Sequence, residues 1–147
     1  TKHSADGEES HWFLDNKQHR DNDMPAVVTI KCNRWYRHGL LHRDNDLPAV
    51  VYADSTKYWY VRGQQHRDND APAVIHVSGK QEWWHIGQRS RGKGDDPYAL
   101  PAVIYPNGMQ EWWYAGRRHR CTSWLGMKQP LIIDGEGKSV GSHINMH

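Results

Sequence analysis

Phenylalanine is nearly missing from this chain, Phe13 being the single one in 147 residues. Cysteine is scarce as well. Cys32 and Cys121 lie far apart, and neither has a second cysteine at metal-ligand spacing. That excludes a disulfide framework and a zinc knuckle, and makes reduced, intracellular thiols the expectation. No apolar run approaches the roughly 20 residues of a membrane span. Thr1 to Asp6 lacks the apolar stretch of a secretory signal, so no export by a recognisable signal is expected. The formal net charge of +2 is too small for a chain whose work is a dominant basic stripe on nucleic acid or an anionic membrane. A local basic patch stays open.

With a mean hydropathy of −0.94, the core must be assembled from amphipathic rings, and the chain does hold 8 Trp and 7 Tyr. Such rings pair an apolar body with a polar handle, which suits a thin structure better than a thick one.

Internal repetition is the strongest signal, and it takes precedence over any residue-level reading. The string His19-Arg20-Asp21-Asn22-Asp23-Met24-Pro25-Ala26-Val27-Val28 returns from His42 to Val51 and again from His66 to Ile75. The period is about two dozen residues. A looser fourth copy opens at Ser90-Arg91 and closes on Pro101-Ala102-Val103-Ile104. A fifth opens at His119-Arg120 and closes on Pro130-Leu131-Ile132-Ile133, both carrying an insertion. Ahead of each copy stands a turn residue, Asn16, Gly39, Gly63, Gly87 or Gly116. Four positions before it comes a Trp: Trp12, Trp35, Trp59, Trp83 and Trp112. The residue after that Trp is always aromatic: Phe13, Tyr36, Tyr60, Trp84 and Trp113.

Adjacent residues of a strand point to opposite faces, so each pair predicts one aromatic column on each side of a sheet. The β-branched Pro-Ala-Val-Val/Ile run, opening with the proline that a strand tolerates at its first position, reads as a second strand. Asp54-Ser55, Ser78-Gly79 and Asn107-Gly108 read as the hairpin turns between the two. The glycine, or Asn16, permits a positive φ where the chain reverses. The fold expected is all-β, an antiparallel meander of about five stacked β-hairpin repeats in a single layer. It forms one domain over 1–147, with units 5–28, 29–51, 52–75, 76–104 and 105–133 and a C-terminal cap or tail at 134–147.

The pattern Tyr105-x-Asn107-Gly108-x-x-Glu111-Trp112-Trp113-x-x-Gly116-x-x-His119-Arg120, with the His-Arg-Asp-x-Asp-x-Pro-Ala blocks, resembles MORN-type repeats of the degenerate variety found in giant DNA viruses. The resemblance runs from about Asp6 to Ile133. It implies a slightly twisted single-layer sheet used for protein contacts, assembly or, in some cases, membrane association, and a viral structural protein in the cytoplasm or associated with the virion. In place of the Gly-x-Gly core of ordinary MORN repeats this chain has His-Arg-Asp-Asn-Asp.

His-Arg-Asp also matches the catalytic-loop triplet of protein kinases. Here it occurs three times, with no glycine-rich nucleotide loop, catalytic lysine block or Asp-Phe-Gly, which excludes that reading. Metal binding by the column fails on distance. Equivalent residues of adjacent two-stranded units lie about 10 Å apart, whereas zinc holds nitrogen at about 2.0 to 2.1 Å, so His19, His42 and His66 cannot share an ion. Paired aspartates such as Asp21 with Asp23 leave loop-bound calcium open. No metal site and no cofactor are expected.

The repeated residues fit a stacking role. Trp12, Trp35, Trp59, Trp83 and Trp112 supply cross-strand contacts. His19, His42, His66 and His119 pack on Trp and donate to a backbone carbonyl. Arg20, Arg43 and Arg67 reach an Asp of the next repeat.

Unique function then falls to departures from the repeat. The insertions bring Arg89, Arg91, Lys93, Tyr98, Arg117, Arg118, Arg120 and Trp124 together as a basic and aromatic partner surface suited to an acidic protein or a phosphate group. The expected function is a non-enzymatic scaffold that contacts a protein partner or itself. The alternative is a carbohydrate- or nucleic-acid-binding module using the second aromatic column and the basic loops.

Overall fold

The computed structural model describes residues 2–3, 9–91, 100–121, 131–133 and 139–140. Among them there is no helix. A 14-stranded sheet follows chain order, every pairing in it antiparallel, so it is a meander that does not close into a barrel. Its inner part runs Ser10–Leu14, Val27–Val28, Cys32–Arg34, Val50–Tyr52, Lys57–Tyr58, Val74–Ile75, Gln81–Glu82, Val103–Ile104 and Gln110–Tyr114. The expected all-β stack of hairpins is what forms.

Each unit is bent at its tryptophan. The Trp35 main-chain N–H donates to the Ala49 carbonyl of the large sheet, while its carbonyl accepts from the His42 N–H on the other side. Trp12, Trp59 and Trp83 repeat both bonds. Past that junction the chain leaves the large sheet and closes a short hairpin. Tyr36–Arg37 pairs with Leu40–Leu41, Tyr60–Val61 with Gln64–Gln65, and Trp84–His85 with Gln88–Arg89. Two turn residues link these strands, both with positive φ: His38 and Gly39, Arg62 and Gly63, Ile86 and Gly87. That is the mirror-image turn that matches strand twist in two-residue hairpins. Sequence placed the positive φ at the second residue only; the first must adopt it too, even where it is the β-branched Ile86. One main-chain bond per step, such as Gly63 N–H to the Leu41 carbonyl, stacks each tip hairpin on the previous one.

Register explains which residues repeat. Trp12, Trp35, Trp59, Trp83 and Trp112 alternate across the large sheet with Ala26, Ala49, Ala73 and Ala102, all four 0% exposed. A methyl is what fits between two indoles on neighbouring strands. On the opposite face Val27, Val50, Val74 and Val103 form a second buried column. They alternate with His11, Arg34, Tyr58, Glu82 and Glu111. The core is thus two narrow rows, one on each side of a one-layer sheet.

Candidate functional site

The His-Arg-Asp-Asn-Asp segments leave each tip hairpin and turn back toward the next Pro. Their turns carry positive φ at two consecutive residues, Asn45 (60°) and Asp46 (55°), with the same values within a few degrees in the first and third copies. Asn and Asp tolerate this region better than other side-chain-bearing residues, which explains the Asn-Asp pair. The turn aims the second aspartate at the unit that follows.

There it meets an arginine. Arg43 Nε and Nη2 donate to Asp23 Oδ1 and Oδ2 at 2.7 and 2.9 Å. Arg67 grips Asp46 at 2.8 and 2.8 Å, and Arg91 grips Asp70 at 2.8 and 2.9 Å. Each guanidinium carbon also lies over the ring of the tryptophan of its own unit, 3.9 Å from the centroid for Arg43 on Trp35, 4.0 Å for Arg67 on Trp59 and 3.8 Å for Arg91 on Trp83. Its remaining nitrogen holds a proline carbonyl, as Arg67 Nη1 does at Pro72. The indole N–H completes the joint by donating to the aspartate's own carbonyl, Trp59 to Asp46 at 2.9 Å. A planar fork that stacks and bonds at once is what arginine offers and lysine does not.

Two expectations need correction. Arg43, Arg67 and Arg91 reach an aspartate of the preceding repeat, not of the next, because the left-handed turn throws the acid forward along the stack. The histidines do not donate to a carbonyl. His42 Nδ1 accepts from the Arg62 N–H at 3.1 Å, and Nε2 lies 2.9 Å from Asp44 Oδ1. His19 and His66 repeat this with His38 N–H and Ile86 N–H. An N–H can only donate, so Nδ1 must be the bare nitrogen and Nε2 carries the proton to the carboxylate.

The Arg43 fork holds the Asp23 carboxyl below its ordinary 3.8, against a smaller opposing effect of burial, and the Arg67 fork does the same to Asp46. His42 lowers Asp44. A carboxyl depressed on folding contributes stability that is complete above its unfolded value and disappears as pH falls through the folded one. The melting temperature is therefore expected to stay level as far as these groups set it from neutrality to about pH 5, then fall below about pH 4. Asp46→Asn should flatten part of that fall. A thermal melt series from pH 7 to 2 checks this, and an equal acid fall in both proteins would contradict it.

On the valine face, Glu82 and Glu111 sit in the sheet, each 8% exposed. Sequence reasoning missed both, although an acid inside a strand next to a Trp-Trp pair was a signal. Burial pushes Glu82 up, but Lys80 and Arg89 outweigh it and hold the carboxyl below its ordinary range. Arg89 Nη2 bonds Glu82 at 2.7 Å, and the Arg89 guanidinium lies 4.9 Å over Trp84 and 4.5 Å over Trp113. The two indoles donate to Glu82 and Glu111. This half of the second aromatic column is therefore engaged in a charged cluster, while Tyr36 and Tyr60 line shallow grooves of about 390 and 220 Å³ between successive His-Arg-Asp-Asn loops.

The partner surface expected at the insertions divides. Arg91 belongs to the ladder and Arg89 to the glutamate cluster. Arg118 faces Glu111 at 3.7 Å, and Arg117 is exposed beside a tip. Lys93, Tyr98 and Trp124, with the Arg120 side chain, lie outside the described residues. His119 is half-buried and Arg20 stacks on Trp12 at 3.8 Å. Sequence reasoning also missed the row of exposed apolar residues at the hairpin tips, Leu14 (43%), Leu40 (49%), Val61 (38%), Ile86 (54%) and Tyr114 (42%).

Among the described residues no group of three metal-ligating side chains converges, and no helix is long and apolar enough to cross a membrane. Comparison with family models, with curated proteins and with solved structures finds no match in any of the three.

Proposed function

We propose that this protein is a non-enzymatic, MORN-like repeat scaffold that displays a row of hairpin tips to a protein partner, as a viral structural or interaction protein would. The carrying observation is the exposed tip row. Leu14, Leu40, Val61, Ile86 and Tyr114 recur at the ends of hairpins stacked by main-chain bonds, while the repeated Trp, Arg and Asp are engaged with one another. Exposed apolar side chains at the ends of successive stacked hairpins, with the exposed Arg62 and Arg117 at the same ends, favour contact with protein. The viral attribution rests on the repeat motif alone.

The reading predicts that a Leu40→Ser, Val61→Ser, Ile86→Ser variant keeps its melting temperature within about 3 °C, since surface changes usually cost little. It should lose a defined protein, or its own self-association by light scattering, that the parent retains. Salt-sensitive binding of oligonucleotides or glycans, unchanged in the variant and with no tip-dependent protein contact, would replace this reading by the carbohydrate- or nucleic-acid-binding one.

A further inference from the structure

Each tip hairpin ends on one directly opposed pair before its turn: Leu14 with Lys17, Arg37 with Leu40, Val61 with Gln64, His85 with Gln88, and Tyr114 with Arg117. Opposed residues of an antiparallel pair share a face. The next pair inward holds Phe13, Tyr36, Tyr60, Trp84 or Trp113. Alternation therefore turns the second aromatic column to one side of the hairpins and the end pairs to the other. All ten end-pair residues are exposed. Four of the five pairs carry an apolar side chain, and in three of these its partner across the strand is a cation.

Charge is segregated in the same way. The five tips, 14–17, 37–40, 61–64, 85–88 and 114–117, contain Lys17, Arg37, Arg62 and Arg117 but a single acid, Asp15. Arg37 bonds Asp44 at 3.2 Å, while Lys17, Arg62 and Arg117 form no ion pair among the described residues. The tips are in register along the stack, each joined to the one before by a main-chain bond from Gly39, Gly63, Gly87 or Gly116. They also touch: a methyl group at Gly63 would come within 3.3 Å of Leu40 Cδ2. Two strands per unit set the step between equivalent tip positions at about 10 Å.

We infer that the end-pair face of the tips is a docking site for an acidic amphipathic α-helix of a partner protein, laid along the stack. Seven helical residues advance about 10.5 Å, so an apolar stripe repeating by heptads meets one end pair per repeat. A partner strand does not keep step, since side chains on one of its faces recur at about 6.6 and 13 Å. A polyproline helix advances about 9.3 Å in three residues, but it docks in aromatic-lined grooves, and here the tyrosines and tryptophans other than Tyr114 face the other way. Lys17, Arg37 and Arg117 beside the apolar row select acidic residues on the flanks of the stripe, and Asp15 opposes them weakly. The inference rests on the tip-row reading and names the partner that this row takes.

The test uses the full chain, labelled with ¹⁵N, and a capped helical peptide of four heptads with leucine at the first and fourth places and glutamate beside them. Main-chain amide resonances are followed by NMR at neutral pH as peptide is added. Saturable shifts of Leu40, Val61 and Gln88 are expected, with the valine column unmoved. Replacing the glutamates by lysine should weaken binding at least about tenfold, since like charges then meet. Moving the leucines to every second position should abolish it. The Lys17→Gln, Arg37→Gln, Arg117→Gln variant should bind about fivefold more weakly while its melting temperature stays within about 3 °C of the parent. No saturable shift, an equal response to the lysine peptide, tighter binding of a proline-rich peptide, or undiminished binding by the variant would overturn the inference. So would sedimentation with phosphatidylserine vesicles through these residues in place of a peptide response. A silent helix peptide beside a protein contact that the Leu40→Ser, Val61→Ser, Ile86→Ser variant loses overturns the helix alone and leaves the scaffold reading standing.

Discussion

Trp59→Ala is expected to destabilise the protein by about 4 kcal/mol, the range for deleting a large buried aromatic side chain. Trp59 is 6% exposed and lies between Ala49 and Ala73 across the sheet. Its removal does three things at once. It opens a hole in a row only one side chain deep, takes the indole donor from the Asp46 carbonyl, and strips the Arg67 guanidinium of the ring beneath it. With a chain of this length, about 4 kcal/mol corresponds to a fall of more than about 10 °C in melting temperature. Trp59→Phe should recover more than half, since a ring still fills the gap and faces Arg67 while the N–H bond is lost. A loss below about 1 kcal/mol for the alanine variant would show that the Trp column is not the core.

Arg67→Ala carries the second largest expectation, about 2 to 3 kcal/mol. Three contacts go together: the fork on Asp46, the stack on Trp59 and the bond to the Pro72 carbonyl. Asp46 is 54% exposed, so water rescues its carboxylate and the ion pair alone is discounted to about 1 kcal/mol. The cation–π contact adds about 0.5 to 1 kcal/mol and the carbonyl bond about 1 kcal/mol. Arg67→Lys should recover less than half of the loss, because an ammonium group cannot stack flat and bond two oxygens in plane. A melting temperature of Arg67→Ala within about 1 °C of the parent would leave the arginine as ornament on the sheet.

Much of this arrangement was legible before any coordinates. Identical strings at a fixed period identify equivalent positions, and a period of two strands per unit makes those positions a column. Hence the Trp column, the hairpins and a bond between arginine and aspartate could all be read. Equivalence, however, does not say which neighbour a side chain faces. Whether Arg43 reaches forward to Asp68 or back to Asp23 depends on the hand of the Asn-Asp turn, and that hand is a backbone property no single residue announces. The histidine role was misread for a related reason. Its partner is the N–H of a tip residue that is His38, Arg62 or Ile86 in successive units, and a main-chain donor leaves no trace in side-chain identity. The alanines shared by the first four copies, Ala26, Ala49, Ala73 and Ala102, were a missed clue, since a residue kept small between two tryptophan-bearing strands is held so by packing. The tip row escaped because its members, Leu14, Leu40, Val61, Ile86 and Tyr114, are not identical and so did not register as a repeat.

The exposed tips owe their rigidity to a stack in which the second, third and fourth units are each clamped to the one before. That clamp is the central claim, and a double-mutant cycle on Arg67 and Asp46 tests it most directly. Arg67→Ala, Asp46→Ala and the double variant are unfolded in urea, and the coupling is taken from the four free energies. A coupling of about 1 to 2 kcal/mol between these residues of adjacent units is predicted. Additivity within about 0.3 kcal/mol would contradict the clamp, leaving the main-chain ladder and the two core columns to hold the repeats together.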